Sequence, residues 1–246
     1  MLIVQSIALL EGGCVKLRQG DFDRVRHYGM DAASVAARFE QQGALWIHVV
    51  DLDAARGLDN NRDLIADIRS AVDVKIQVGG GVRTVLDAKA LIELGADAVV
   101  VGTTLATHTL EVLEWAERWP SRIVGGIDAL MGKVQVQGWV ETAGTETELI
   151  DAVRGSALSG LVYTAVDRDG MLKGPDIAGS GAAAVSSALP ILLSGGISSD
   201  EDLRNVDRAN HFAGAIVGTA IYEERVDLPG TIRELQVHSD AALWAR

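Results

Sequence analysis

The segment IHVVDLDA, residues 47–54, has a second copy later in the chain, YTAVDRDG at residues 163–170. The same shift aligns two more pairs of segments, and a slightly longer shift aligns a third: VGGGVRT (78–84) with SGGISSD (194–200), VVVGTTL (99–105) with AIVGTAI (215–221), and IALLEGG (7–13) with IDALMGK (127–133). Repetition at one spacing over several segments indicates a structure built from two copies of one unit.

Short β-branched runs alternate with helical patterns along the chain. The predicted strands are residues 2–8, 45–51, 74–78, 98–102, 122–128, 160–166, 191–195 and 213–218. Helical patterns such as 31–43, 60–71, 84–96 and 199–207 lie between them. Eight strands alternating with helices in about 250 residues predict an α/β fold, the (β/α)8 TIM barrel, here made of two repeated half-barrels and forming a single domain over residues 1–246. An open doubly wound sheet is the alternative, but no GxGxxG follows the first strand.

The composition limits the partners of this chain. Its formal net charge of −12 and pI of about 4.8 argue against binding to nucleic acid or to an anionic membrane. No uncharged apolar run approaches the roughly 20 residues that span a bilayer, and the N-terminus lacks the pattern of a signal peptide. The single cysteine, Cys14, excludes an internal disulfide. These features predict a cytoplasmic protein, and we expect a monomer.

Glycine-rich turns follow four of the predicted strands, at the end of the barrel where ligands bind. Glycine lets backbone N–H groups approach an anion closely, and a helix N-terminus adds a favourable dipole. The candidate phosphate-binding residues form two sets related by the repeat: Gly80, Gly81, Gly102 and Thr103, and Gly195, Gly196, Gly218 and Thr219. Two such sets predict a substrate with a phosphate at each end. The alternative is that they are only tight strand-to-helix turns.

Several aspartates fall at or just after the predicted strand ends. Asp128 ends the fifth strand, and Asp169 follows the sixth strand, which contains Thr164. A carboxylate in the opening of a barrel can transfer protons if burial tunes its pKa. Asp51 and Asp53 follow the second strand. For all of these aspartates the alternative is a helix N-cap or an ion pair in a loop.

Two further side chains are candidates for ligand contact. His48 lies at the end of the second strand, where a structural histidine is the alternative. Trp139 lies in a glycine-containing loop after the fifth strand, and there an aromatic ring can stack on a planar ligand or close over it. Packing on the rim of the barrel is the alternative for Trp139. The chain has no HxH, HExxH or GxSxG pattern, so the sequence predicts neither a metal site nor a covalent nucleophile.

The chain resembles, over nearly its whole length, the HisA family of histidine-biosynthesis isomerases and its bifunctional PriA branch. The motifs that carry the resemblance are VKLRQGD (15–21), WIHVVDLDAA (46–55), GGGVRT (79–84), VVVGTT (99–104), GGID (125–128), QGW (137–139), YTAVDRDGMLKGP (163–175), LSGGISS (193–199) and AIVGTAIYE (215–223). The resemblance implies an Amadori rearrangement, aldose to ketose, of a bis-phosphorylated aminoimidazole carboxamide ribonucleotide. It implies no cofactor and no metal.

The resemblance also implies roles for single residues. It gives Asp128 and Asp169 the role of acids, with Thr164 beside them, and it assigns the two phosphates to the two glycine sets. The remaining candidates, expected to contact the substrate, are His48, Arg18, Arg83 and Trp139.

The first strand departs from the family pattern. The family's general base is an aspartate that ends strand one, in a segment like PAIDL, whereas residues 5–9 of this chain read QSIAL, with Ala8 at the position of the base. Three interpretations are open: an engineered change, natural divergence toward ligand binding or another reaction, or a base supplied by Glu11, Asp51 or a water. Gln137 stands where the bifunctional branch often carries an arginine for phosphoribosylanthranilate, which argues against dual activity.

Overall fold

The computed structural model describes residues 1–236. In chain order its strands are β1 (Leu2–Leu10), β2 (Gly13–Arg18), β3 (Asp21–His27), β4 (Trp46–Asp51), β5 (Lys75–Gly79), β6 (Ala98–Val101), β7 (Ile123–Leu130), β8 (Lys133–Val136), β9 (Glu141–Thr145), β10 (Leu161–Ala165), β11 (Ile191–Ser194) and β12 (Gly214–Val217). The helices are α1 (Ala32–Gln41), α2 (Leu52–Arg56), α3 (Arg62–Ala71), α4 (Val85–Glu93), α5 (Thr103–Thr107), α6 (Thr109–Arg118), α7 (Glu146–Val153), α8 (Ile177–Ser187), α9 (Asp200–Ala209), α10 (Thr219–Tyr222) and α11 (Leu228–Leu235).

Eight of these strands form a closed parallel barrel. The order around it is β1, β4, β5, β6, β7, β10, β11 and β12, and β12 pairs with β1 again. Every neighbouring pair in this ring is parallel. The predicted (β/α)8 barrel is therefore confirmed, and each barrel strand begins and ends within two residues of its predicted bounds. Residues 237–246, included in the predicted single domain, lie outside the described part of the chain.

Alternate residues of the barrel strands fill the interior with apolar side chains, because successive strand residues point to opposite faces. The interior cluster consists of Leu2, Val4, Trp46, Ala98, Val100, Val124, Val162, Leu192 and Ile216. Burial of each such side chain stabilises the fold by about 1.5–3 kcal/mol. Toward the carboxyl ends the inward series becomes polar, with His48 on β4, Asp128 on β7 and Thr164 on β10. These side chains lie in the mouth, defined here as the opening at the carboxyl ends of the eight strands.

Local sequence signals start most of the helices. The N-cap side chains that accept a hydrogen bond from the first helical turn are Asp31, Asp51, Thr84, Thr145, Asp176, Ser199 and Asp227. All are residue types that favour this position, and each such cap stabilises a helix by about 1 kcal/mol. Within residues 1–236, none of the helices combines the length and the apolar character needed to cross a membrane.

Each half-barrel carries an antiparallel hairpin that the sequence did not predict. In the first half, β2 folds back on β1 and pairs with β3. In the second half, β8 folds back on β7 and pairs with β9. Strand β3, DFDRVRH, is mostly polar and exposed, so its sequence lacks the apolar alternation that indicates a strand. Both hairpins extend from carboxyl ends of barrel strands and therefore border the mouth.

Candidate active site

The glycine turns after β5 and β11 pack closely on the loop of the preceding barrel strand. Gly80 and Gly195 have φ values of +101° and +94°, a region that glycine adopts without steric cost. A Cβ on Gly80 would lie 2.1 Å from the carbonyl oxygen of Asp51, and a Cβ on Gly195 would lie 2.8 Å from that of Ala165. The next residues are also glycines at positive φ, namely Gly81 and Gly196.

The turns after β6 and β12 have nearly the same backbone conformation in the two halves. Gly102 has φ −97° and ψ −87°, Gly218 has φ −114° and ψ −98°, and each precedes a short helix that begins at Thr103 or Thr219. The pairs β5–β6 and β11–β12 are separated by two strands on either side of the ring, so the two glycine sets lie on opposite sides of the mouth. The hydroxyl oxygen of Thr103 accepts from the backbone N–H of Gln137 at 3.0 Å, which connects this set to the loop after β8.

Asp128, near the end of β7, accepts two side-chain hydrogen bonds. The indole Nε1 of Trp139 donates to its Oδ2 at 2.8 Å. The hydroxyl of Thr164, on the adjacent strand β10, donates to the same carboxylate. Burial raises the pKa of Asp128, and the two donors oppose that rise. The carboxylate is thus held at the N–H edge of the indole ring.

Asp169 and Lys16 bring a second carboxylate and an ammonium group into the mouth. Asp169 lies in the loop after β10, where its carbonyl oxygen accepts from the backbone N–H of Gln19 at 3.1 Å. Burial raises the pKa of Asp169 to about 6, with Lys16 lowering it and Asp128 raising it. Burial lowers the pKa of Lys16 to about 8, against the opposing effect of Asp169. Asp169 therefore titrates near neutral pH, where a general acid is most effective.

Lys16 is absent from the residues that the sequence singled out. Its Nζ donates to the carbonyl oxygen and to the hydroxyl of Ser6, both at 3.0 Å. A Cβ on Gly218 would lie 3.0 Å from this Nζ, so the ammonium adjoins a predicted phosphate-binding glycine. Lys16 reaches the mouth because β2 folds back on β1. The motif VKLRQGD contains this lysine and could have indicated it, but the direction of the lysine side chain depends on the hairpin.

Trp139 lies over the mouth in the turn between β8 and β9. It and Gln137 have φ values of +73° and +54°, which are uncommon for residues other than glycine. The indole ring covers Gly20, where a Cβ would lie only 2.2 Å from Cε3 of the ring. Since the same indole donates to Asp128, it joins a loop of the first half to a carboxylate of the second half.

Ala8 lies in an apolar part of the mouth. Its side chain is 8% exposed and clusters with Leu10 and Val15. Three partly buried side chains pack against this cluster, namely Phe22, Val25 and Leu52. The position that the resemblance gives to a general base is therefore lined by hydrocarbon from the β2–β3 hairpin and from α2.

His48 is buried in the mouth and neutral. The amide Nε2 of Gln77 donates to its Nδ1 at 3.0 Å, which leaves the proton of the neutral ring on Nε2. Burial, together with the charge of Lys16, lowers the pKa of His48 to about 3. At neutral pH the imidazole can therefore donate a hydrogen bond through Nε2, but it cannot serve as a cation.

The two candidate arginines lie at the outer edge of the mouth. Nε of Arg18 contacts the sulfur of Met171 at 3.2 Å, on an exposed surface. The guanidinium of Arg83 donates to the carbonyl oxygens of Ala54 and Ala55 at 2.9 and 3.0 Å, and is exposed. Arg83 thus stabilises the loop after β4.

Asp51 and Asp53 are structural residues in this arrangement. Asp51 caps α2 by accepting from the N–H of Ala54 at 3.1 Å, and it accepts from the backbone and side chain of Asn61, each at 2.8 Å. Asp53 accepts from the side chain of Asn61 at 2.8 Å and from the backbone of Glu11 at 2.7 Å. The N-cap alternative therefore describes Asp51. In residues 1–236 no group of three or more His, Cys, Asp or Glu side chains is arranged to hold a metal ion.

Comparisons with known proteins place this barrel in a family. A family model described as histidine biosynthesis protein matches residues 2–227. Curated proteins named 1-(5-phosphoribosyl)-5-((5-phosphoribosylamino)methylideneamino) imidazole-4-carboxamide isomerase are similar along nearly their whole length. The one from Thermodesulfovibrio yellowstonii is 40% identical, over 95% of this chain and 96% of its own. The one from Prochlorococcus marinus is 38% identical, over 96% of this chain and 94% of its own. The chain therefore belongs to the histidine biosynthesis protein family.

Proposed function

We propose that this chain catalyses the Amadori rearrangement, aldose to ketose, of a bis-phosphorylated aminoimidazole carboxamide ribonucleotide. The observation that carries the proposal is the pair of ionisable carboxylates, Asp128 and Asp169, between two repeat-related sets of glycine turns. The relatives are named as imidazole-4-carboxamide isomerases, and the name of their substrate contains two phosphoribosyl groups. These names support the same reaction.

The geometry suggests how the substrate is bound. One phosphate would lie at Gly80, Gly81, Gly102 and Thr103, and the other at Gly195, Gly196, Gly218 and Thr219. Lys16, beside Gly218, supplies a positive charge to the second phosphate in a chain whose net charge is negative. Trp139 covers the reacting centre and excludes water, which strengthens hydrogen bonds and charge interactions beneath it. His48 donates a hydrogen bond to the bound ligand.

The proposal is tested by incubating the purified chain with this ribonucleotide and separating substrate from ketose product by chromatography. We expect turnover that depends on enzyme concentration, and loss of turnover in the Asp169→Asn variant. The matched control is Asp73→Asn, an exposed aspartate in the loop before β5, which should leave the rate unchanged. Absence of turnover in the unmodified chain would contradict the proposal.

A barrel that binds phosphoribosyl ligands without converting them is the second candidate. The apolar surroundings of Ala8 favour it, since they offer no proton acceptor at that position. Calorimetric binding of the ribonucleotide with no product after prolonged incubation would support this candidate over the isomerase.

A bifunctional isomerase that also acts on phosphoribosylanthranilate is a weaker candidate. Gln137 is neutral, and its side-chain amide donates to the carboxylate of Glu141 at 2.9 Å. Its side chain therefore brings no positive charge to the anthranilate carboxylate, and we expect no turnover of this second substrate. We also propose that the chain works as a monomer in the cytoplasm, and light scattering after gel filtration tests the oligomeric state.

A further inference from the structure

The isomerisation proposed above needs a proton acceptor as well as a proton donor, and β1 provides no acceptor. The rearrangement opens the ribose ring by protonation of its ring oxygen and then removes the proton on C2′. Ala8 has no group that can accept a proton, and its neighbours Leu10 and Val15 have none either. If this chain itself supplies the acceptor, it comes from another side chain of the mouth.

Two of the groups that the sequence offered as substitutes are unsuitable. Both oxygens of Asp51 accept hydrogen bonds from the start of α2 and from Asn61, so this carboxylate is committed to structure. Glu11 is exposed in the turn between β1 and β2, and its backbone N–H donates to Asp53 at 2.7 Å.

The two basic side chains of the mouth are unsuitable as well. His48 accepts from Gln77 through Nδ1, and its other ring nitrogen carries the proton of the neutral ring, so the ring has no free lone pair. The ammonium of Lys16 donates to Ser6 and adjoins Gly218, where a phosphate would keep it protonated. Of the candidate carboxylates, Asp128 and Asp169 remain.

We propose that Asp128 is the proton acceptor of this chain and that Asp169 is the proton donor. Asp128 receives hydrogen bonds from an indole N–H, which can only donate, and from the hydroxyl of Thr164. Both bonds oppose the rise in the pKa of Asp128 that burial causes, and a carboxylate has lone pairs left for a third partner. Asp169 lies on a loop, and burial raises its pKa to about 6. Asp128 is also the repeat-related counterpart of Ala8, so the base has moved from the first half-barrel to the second.

The proton transfers balance in this assignment. The carboxyl group of Asp169 protonates the ring oxygen, the bond from C1′ to that oxygen breaks, and the lone pair of the amino nitrogen forms the C1′=N double bond. Asp128 takes the proton from C2′, and those electrons form the C1′=C2′ bond while the C=N pair returns to nitrogen. Asp128 then returns its proton to C1′, and Asp169 takes the proton of the C2′ hydroxyl as the ketone forms. Both groups end in their starting states.

Four forms of the chain test this assignment: the unmodified chain, Asp128→Asn, Ala8→Asp, and the double variant Ala8→Asp/Asp128→Asn. The measurement is kcat/KM for the ribonucleotide, with circular dichroism to show that each form is folded and Asp73→Asn as the control. We expect Asp128→Asn to reduce kcat/KM by about 10²–10⁴-fold. We expect kcat/KM of the double variant to be at least about tenfold higher than that of Asp128→Asn, because a carboxylate at position 8 supplies a new acceptor.

This inference rests on the proposed function, and the outcomes separate the two. If none of the four forms converts the ribonucleotide, the isomerase function itself is wrong, and this assignment with it. If Ala8→Asp is active but the double variant is no faster than Asp128→Asn, the function stands and Asp128 is a donor, which contradicts the assignment. Equal rates of the unmodified chain and Asp128→Asn would contradict it as well. If Asp128 had only a structural role, Asp128→Asn would lower kcat/KM by the same factor with alanine and with aspartate at position 8.

Discussion

The hairpin unit of the first half, β1 to β3, and that of the second half, β7 to β9, share a backbone plan but differ in chemistry. Leu10 pairs with Gly13 and Leu130 with Lys133, so Ala8 and Asp128 both lie two residues before the pair that closes the hairpin. Around Ala8 the side chains are hydrocarbon, whereas Asp128 meets an indole N–H and a hydroxyl. The first unit therefore forms an apolar wall of the mouth, made of Ala8, Leu10 and Val15, whereas the second unit places an ionisable carboxylate there.

The loops that follow β4 and β10 show the same contrast. Asp53 is fixed by hydrogen bonds from Asn61 and from the backbone of Glu11. Its repeat counterpart Asp169 faces Lys16 and Asp128. A duplicated backbone thus positions equivalent carboxylates without giving them equivalent tasks, because the task depends on the partners that the rest of each half provides.

The largest expected effect comes from replacing Asp169 and Asp53 one at a time, which tests the contrast between the two loops. We expect Asp169→Asn to lower kcat/KM by about 10²–10⁴-fold, as for loss of a general acid, without lowering the stability at neutral pH. We expect Asp53→Asn to lower the melting temperature while kcat of the folded fraction changes by less than about tenfold. Steady-state kinetics and thermal denaturation of both variants provide the check. The reverse pattern would show that Asp53 is the chemical group.

Replacing a glycine in the turns after β5 and β11 should destabilise the fold in both halves, and more strongly in the first half. A Cβ on Gly80 would meet the Asp51 carbonyl oxygen at 2.1 Å, closer than the 2.8 Å for Gly195 and Ala165. With the cost of positive φ added, we expect Gly80→Ala to destabilise by about 3 kcal/mol or more, and Gly195→Ala by less. Urea denaturation measures both. A Gly80→Ala variant as stable as the unmodified chain would show that the turn relaxes freely.

The pH dependence of stability should separate the two halves as well. Folding raises the pKa of Asp169 from its ordinary value of 3.8 to about 6. The stability that its proton contributes is present in full below about pH 4 and is lost as the pH rises through about 6. The total loss in the free energy of unfolding is up to about 3 kcal/mol. Relative to Asp169→Asn, the unmodified chain should therefore lose stability between about pH 4 and 7. Urea denaturation at several pH values checks this, and parallel curves for the two proteins would contradict it.

Introducing a carboxylate at position 8 should weaken the apolar wall. Ala8 is 8% exposed and packed against Leu10 and Val15. We expect Ala8→Asp to destabilise the fold by about 1–3 kcal/mol, because a charge there loses water without gaining a hydrogen-bond partner. The Ala8→Asn variant is the neutral control. Increased stability of Ala8→Asp would show that the wall still accommodates a carboxylate.

An effect of similar size concerns the hydrogen bond that only the second hairpin makes. Trp139→Phe keeps an aromatic ring over the mouth but removes the N–H that donates to Asp128. Hydrogen bonds to charged groups contribute about 1.5–3 kcal/mol, so a loss of kcat of about tenfold or more is expected, with KM little changed. A large rise in KM with constant kcat would indicate instead that the indole mainly binds substrate.

The sequence predicted most of the scaffold and less of the site. The barrel strands were predictable because β-branched runs alternate with helices, and the repeat of IHVVDLDA in YTAVDRDG supported a total of eight strands. The hairpins were not predictable, since β3, DFDRVRH, lacks an alternating pattern. Missing the hairpins also hid Lys16, which enters the mouth only because β2 folds back on β1. The structural use of Asp51 depends on Asn61, ten residues away, and no local pattern shows that contact.

The contact of Trp139 with Gly20 has a consequence for the independence of the two halves. The indole, which belongs to the second half, leaves no room for a Cβ at position 20 of the first half. The same indole donates to Asp128. A side chain added at position 20 would therefore disturb a hydrogen bond in the opposite half-barrel. The two halves repeat each other in sequence, but at this contact neither can change without the other.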